Sequence, residues 1–587
     1  MKKSIFFFLF STFVALGMSF ALADAQVPQG HVEKRGVYID IRSLGRQIGD
    51  EVAEFGNTVT GDELSPVPFL PVVPHIQFRG GNFQVNDPSL DNIQIFSGFR
   101  PFVKFTQSET SVAAFGRNIV AVYNTSANQP IEPIPTPPGL AYVHRFFSGF
   151  STSNDGGATW MSGFMPPVPG SIFTFGDPVV GVDRNGNFYF AGLGADAQGR
   201  STIQVNKSTD GGRTWSDAVV VQQDDGGDKE WLAIGPDPFD LTRDNLYVTW
   251  TSFQQPTGAQ LRFGRSTDGG ATWETKTIFA PTNDPNPAMP QNSLQFSNPY
   301  VDRITGRLYV PFLQWSDKDQ DFIKILVSDD AGETFSFIDF NFPGAIIPDG
   351  LPLVQAGELT DCRSGGTRLV IHSGVDQGGR FGLRSFVNSS RLFTQPAFAA
   401  RNGILYLAWA RSTSSVFGDP AGKSNVMFIR SDDGGSTWTT PIQVNPDVNT
   451  DIHHVLPSLS IDKDPQDVHI LYYTQHTDGT LDVDLANSHN RGKSFQANRT
   501  LRVSSTPFAL APTNIKLTAN TSTNYDRTIQ PCYCLGEYLS AVSANGTVYA
   551  LWGDTRKSVT EPVDPLDPLS GETHPQEDVF FQKVKAQ

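Results

Sequence analysis

The sequence predicts an all-β chain folded as a seven-bladed β-propeller, with six blades and an irregular insert as the alternative. Three observations carry that expectation. One octapeptide recurs six times, a strand pair of one shape recurs seven times, and aromatic and β-branched runs with 54 Gly and 41 Pro leave little helical periodicity. The octapeptides are SNDGGATW (Ser153–Trp160), STDGGRTW (Ser208–Trp215), STDGGATW (Ser266–Trp273), SDDAGETF (Ser328–Phe335), SDDGGSTW (Ser431–Trp438) and SHNRGKSF (Ser488–Phe495). Their third residues, Asp155, Asp210, Asp268, Asp330, Asp433 and Asn490, are spaced by 55, 58, 62, 103 and 57, and such a period means a solenoid, propeller or array.

Each octapeptide sits between two apolar runs, such as LRFGR (Leu261–Arg265) before it or AVVVQ (Ala218–Gln222) after it. It therefore reads as a turn between antiparallel strands, in which the glycines supply backbone angles that other residues resist. The Asp and the Ser or Thr can bond back into the turn, while the last aromatic plugs the strands beneath. The expectation is structural: a staple, with no ligand required. The strand pairs that open the units lie at 109–124, 177–192, 230–250, 298–313, 395–410, 456–473 and 537–553. The seventh unit ends at 577–587 with a third strand and no fourth. GNFQVND (Gly81–Asp87) resembles the fourth-strand segment TPIQVNPD (440–447), so the N-terminal segment is expected to complete the last blade and leave no open edge.

The remaining features bound the context. Residues 1–25 have the basic start, apolar run and small cleavage-site residues of a signal peptide, which implies a secreted protein, extracellular or periplasmic. No other run is long and apolar enough to span a bilayer. Residues 26–74 are Pro-rich and unpatterned, an extended lead into a propeller over 75–587, with an insert at about 341–391 between blades four and five. The formal charge of −16 argues against nucleic acid as a partner. Three cysteines, Cys362, Cys532 and Cys534, are too few for a disulfide scaffold; a bridge from Cys362 to Cys532 or Cys534 would tie the insert to the seventh blade. The oligomeric state is not legible.

Ser-x-Asp-x-Gly-x-Thr-Trp is similar to the Asp-box, or BNR repeat, and the chain resembles the sialidase-like Asp-box propellers over nearly all of 81–587. That resemblance implies boxes at the blade periphery and a glycan-active site at the central funnel, where the inner strands begin. The residues that begin them are Glu109, Asp177, Asp228 with Lys229 and Glu230, Asn298, Gln395, His453 with His454, and Glu537 with Tyr538. The resemblance implies a Tyr nucleophile with a carboxylate partner and an acid/base, since a phenol of pKa about 10 needs a base. Tyr538 or Glu537 falls near the nucleophile region, Glu230 is the expected partner, and Glu109 and Asp177 complete the catalytic candidates. The arginine triad that clamps a sialic acid carboxylate is not recognisable: Glu109 stands in QSETSV (107–112) where the first cation would be, and FRP (Phe99–Pro101) lies too far upstream. Arg411 and Arg556, at the ends of second strands, read as solvated surface arginines that could reach the same face.

No Gly-x-Ser-x-Gly elbow, His-Glu-x-x-His or zinc-spaced Cys/His cluster is present, and no cofactor is expected. DKDQD (Asp317, Asp319, Asp321) alternates carboxylates as calcium prefers, and DDGGDKE (224–230) does so less clearly; the first lacks the Gly and Glu of a standard loop. The expected function is a glycan-active hydrolase on carbohydrate or glycoconjugate. The alternative is a non-catalytic propeller binding a glycan, a cation or a protein.

Overall fold

A computed structural model describes residues 82–91, 107–125, 147–254 apart from 172, 258–280, 293–315, 322–340, 395–412, 423–447, 452–509 apart from 463–466 and 479, 536–560 and 573–585. It adds short strands at 37–38, 73–76, 131–136, 139–144 and 351–352. Residues 1–25, where a signal peptide is expected, most of 26–74, the body of the expected insert, Phe99–Pro101, Asp317, Asp319, Asp321 and all three cysteines lie outside the described residues.

Seven antiparallel sheets form the ring, so the six-bladed alternative is not the fold. The inner strands of blades one to three are Gln107–Phe115, Thr174–Val182 and Gly227–Asp237. Blade four opens with Ser293–Gln295 and Tyr300–Val301, blade five with Ala397–Arg401, blade six with His453–Ile461 and blade seven with Ser540–Ala544. Each is followed outward by strands in chain order. Val73–Ile76 adds a fifth strand outside blade one, against Thr159–Phe164. Separate clusters of Val, Leu, Ile and aromatic side chains fill the spaces between neighbouring sheets.

The ring closes as the strand count requires. Phe83–Gln84 pairs with Phe580 and Phe581 of the last strand, Thr573–Lys585. Val85 N–H donates to Val579 O (2.9 Å), and Asn82 Nδ2 donates to Val503 O of blade six (2.7 Å). The Ser151 hydroxyl of blade one donates to Val85 O (2.8 Å). Trp160 packs edge-on against Phe581 (5.0 Å), so one short segment ties blades six, seven and one. Arg556 belongs to this closure: it pairs with Asp554 (2.5 Å), donates to Asn82 Oδ1 (3.0 Å) and lies over Phe580 (4.4 Å). It is part-buried structure, which corrects the expectation of a solvated surface arginine, because an arginine stem buries readily under its charged head.

Asn86 grips the closure through Asp578, donating to Oδ1 at 2.8 Å and accepting from Val579 N–H at 2.9 Å. Burial raises the Asp578 carboxyl to about 6, against the bonds from Asn86 and Gln576 and the charge of Lys557, with Asp554 adding to the rise. The native state thus keeps a proton that the unfolded chain releases near 3.8. Stability from this group is present below about pH 4 and lost as pH rises through about 6, with a slope of up to about 1.4 kcal/mol per pH unit. Urea unfolding of the wild type and of Asp578→Asn across pH 4–7 should show the slope in the first and a flatter profile in the second.

The octapeptides are turns between third and fourth strands. In Ser266–Trp273, Asp268 Oδ1 accepts from the Ser266 hydroxyl and the N–H groups of Ala271 and Thr272, and Oδ2 accepts from the Thr272 hydroxyl (2.6 Å). These bonds, the Thr272 hydroxyl first, hold the Asp268 carboxyl down at about 2. The boxes also clasp neighbouring blades. Thr152 of blade one donates to Gly211 O of the second box (2.7 Å), and Lys583 of blade seven donates to Gly156 O of the first (2.7 Å). The paired glycines of the regular boxes have left-handed φ, but in the sixth box the first of the pair is Arg491 at φ 62°. Exposed and strained, it offers a simple gain: Arg491→Gly should stabilise the fold by about 0.5–1 kcal/mol, the left-handed penalty less the added chain entropy. Chemical denaturation checks it.

Candidate functional site

The inner strands of blades one, two, three and six carry a bulge near their starts. Register shifts fall between Ser108 and Ser111, Gly176 and Val179, Asp228 and Trp231, and Val455 and Ser458. At the bulge the backbone turns left-handed, at Glu109 (φ 53°), Asp177 (53°), Lys229 (49°) and Leu456 (53°). A non-glycine residue pays a conformational penalty there, and such strain clusters where side chains must be re-aimed. In blades one to three, the re-aimed residues are two acids and a base.

They meet. The Lys229 ammonium lies 2.6 Å from Glu537 Oε2, 3.1 Å from Glu109 Oε1 and 3.4 Å from Asp177 Oδ1. All four side chains are 5% exposed or less. Burial opposes the charge on Lys229, but Asp177, Glu109, Glu537 and Asp228 outweigh it and raise its pKa. Asn124 braces two blades, donating to Glu109 Oε2 (2.9 Å) and accepting from the Asp177 N–H (3.0 Å). Gly536 (φ 80°) is required by this packing, since a Cβ there would stand 2.7 Å from the Glu109 nitrogen.

Tyr538 lies beneath the cluster, its ring 5.2 Å from the Lys229 ammonium and edge-on to Trp231 at 5.1 Å. Its hydroxyl donates to Pro178 O at 3.2 Å. Glu230 differs from its neighbours. It is buried, and among the described residues no other residue hydrogen-bonds either carboxyl oxygen. Burial first, then the charge of Asp177 and that of Asp228, push its pKa well above the ordinary value; its own backbone N–H and Lys229 oppose this only in part. Glu230 therefore holds its proton more tightly than an ordinary carboxyl, beside a carboxylate-rich cluster. Glu577 is also buried and raised, by burial and then by the charges of Glu109, Asp578 and Asp554.

Glu109, Asp177 and Glu537 thus share one ammonium, with Tyr538 below it and Glu230 within the same field. In the sequence Lys229 stands at a strand start beside Asp228 and Glu230, where its role is not visible. Its signal was positional, a cation in the bulge register that holds Glu109 and Asp177 in the two preceding blades. Glu577, on a third strand, had no such signal. His453 and His454 are buried; His454 lies between blades five and six, Nδ1 3.1 Å from the Thr474 hydroxyl and Nε2 3.3 Å from Asp447. Asp224, in the weaker calcium-like stretch, accepts from Trp250 Nε1 and the Ser252 hydroxyl, both at 2.8 Å, and shapes a turn. Among the described residues no group of three His, Cys, Asp or Glu side chains is disposed to hold a metal ion, and no helix is long and apolar enough to cross a membrane.

Residues 186–530, more than half of the chain, match the family model of the BNR repeat-like domain. No curated protein matches the chain. Among solved structures, a protein of unknown function from Dyadobacter fermentans is 14% identical, with 69% of this chain and 94% of that one covered and a TM-score of 0.37. An ulvan-type polysaccharide lyase is 10% identical (67% and 81% covered, TM-score 0.37), and a Hadza microbial sialidase is 14% identical (88% and 95%, TM-score 0.34). Likeness at this level bears on neither activity nor substrate.

Proposed function

The chain belongs to the BNR repeat-like domain family, and from that premise we propose that it is an exported, glycan-active hydrolase whose site is the carboxyl cluster around Lys229. The observation that carries the reading is the Glu230–Asp177 pair. The pKa of one carboxyl is raised by burial and by the charge of the other, which itself contacts an ammonium. Pairs of titratable groups whose pKa values are driven apart supply an acid and a base at one pH. Glycosidic bonds are cleaved by such a pair, one carboxylic acid protonating the leaving oxygen while a carboxylate acts as base or nucleophile. In this scheme Glu230 gives its proton to the glycosidic oxygen, and Asp177 takes the complementary role. Lys229 fixes Asp177, Glu109 and Glu537.

A second reading, a recognition propeller without turnover, is favoured by the Tyr538 hydroxyl, which is engaged by Pro178 O, and by the burial of every cluster member. Release of 4-methylumbelliferone from a panel of neutral, N-acetylated and sialylated conjugates separates the two. Turnover that follows protonation of a carboxyl supports the hydrolase. Silence across the panel from folded protein overturns it in favour of recognition.

A further inference from the structure

The inner strands enclose a funnel of about 640 Å³ beyond the carboxyl cluster, within the size range of ligand pockets. Its two ends differ chemically. Trp231 and Tyr538 line it at the end next to Lys229. The other end is ringed by the hairpins that join inner to second strands, among them Arg303 of blade four and Arg401 of blade five.

The carboxylates at that end are consumed locally. Asp183 accepts from the N–H groups of Asn185 and Asn187 (2.8 and 2.9 Å), and Asp462 accepts from the Asn545 and Gly546 N–H groups. The arginines are not. Arg303 makes a long contact to Val182 O (3.4 Å), and neither Arg303 nor Arg401 pairs with a carboxylate among the described residues. Both guanidiniums act on Tyr300, which stands at the same wall, so their charges fall on one part of the mouth. Two planar forks without anionic partners suit a carboxylate or sulfate, and the aromatic pair suits the apolar face of a sugar ring. Along the strand Trp231 and the arginine level are separated by roughly 15 Å at about 3.3 Å per residue. One monosaccharide does not span that; a short oligosaccharide does.

We infer that this funnel, opening on the face opposite the strand starts, is a second binding site, for an acidic oligosaccharide with its anionic groups on Arg303 and Arg401 and a ring against Trp231 and Tyr538. It stands independently of the hydrolase reading. Isothermal titration of the full chain with trigalacturonate, maltotriose and inorganic sulfate tests it, alongside the double variant Arg303→Ser/Arg401→Ser. Arg303 is exposed and Arg401 half-buried, so the variant should keep the wild-type melting profile. The expected result is binding of trigalacturonate that weakens by about tenfold or more in the variant, as loss of charge-assisted bonds requires. Equal affinity for maltotriose would remove the anion requirement, and equal affinity for sulfate would remove the saccharide. Absence of heat with trigalacturonate, or unchanged affinity in a folded double variant, would overturn the site.

Discussion

Lys229→Met is expected to destabilise the propeller by about 3–5 kcal/mol, the cost of removing one partner from a buried ionic group. The ammonium contacts Glu109, Asp177 and Glu537 from blades one, two and the entry to blade seven, while Lys229 itself belongs to blade three. Its loss leaves three buried carboxyls close together. They must then take up protons, so the variant should be weakest near neutral pH and recover as the solution is made acidic. That pH signature separates the ionic effect from lost packing, which would be indifferent to pH. Urea unfolding of both proteins between pH 4.5 and 7.5 measures it; an equal loss at every pH would show that Lys229 acts mainly as a filler.

Glu230→Gln should act in the opposite manner. Burial and the neighbouring carboxylates favour the protonated form of Glu230, and an amide of nearly the same shape reproduces that form without adding a charge. Stability should change by less than about 1 kcal/mol, since no hydrogen bond from another described residue to the side chain is lost. The raised acid also makes the wild type less stable as pH rises from the ordinary carboxyl range towards the folded pKa, because over that window the native state keeps a proton that the unfolded chain has released; Gln removes that slope. Turnover of any glycoside the chain cleaves should fall by about 10²–10⁴-fold, the range for a lost general acid. A glycoside with an activated leaving group should lose much less, because it needs little protonation. Unchanged kcat in the variant would remove Glu230 from the chemistry.

Most of the architecture was legible in the chain. The spacing of the octapeptides, the seven strand pairs and the unfinished last unit led to the ring and to its closure by Gly81–Asp87, within which Phe83–Gln84 makes the pairing, because each rests on local turn chemistry or strand counting. The serine and aspartate of the boxes bond within four residues of themselves, which local sequence specifies. The contacts of those boxes with the preceding blade were not legible, since Thr152 and Gly211 are distant in sequence and meet only when sheets stack.

The sequence determined by itself that Glu109, Asp177, Lys229, Glu230, Glu537 and Tyr538 sit at the starts of inner strands, because strand periodicity and unit length fix that placement. Only the tertiary structure decided that Lys229 gathers Glu109, Asp177 and Glu537, that Tyr538 turns its hydroxyl to Pro178, and that the pKa of Glu230 is raised. The reason is physical: the pKa and partners of a carboxyl depend on burial and on charges a few ångströms away, and those charges come from four different blades. Periodicity along one chain encodes where a strand begins; which side chains converge at the axis follows from the bulge geometry and the closing of the ring.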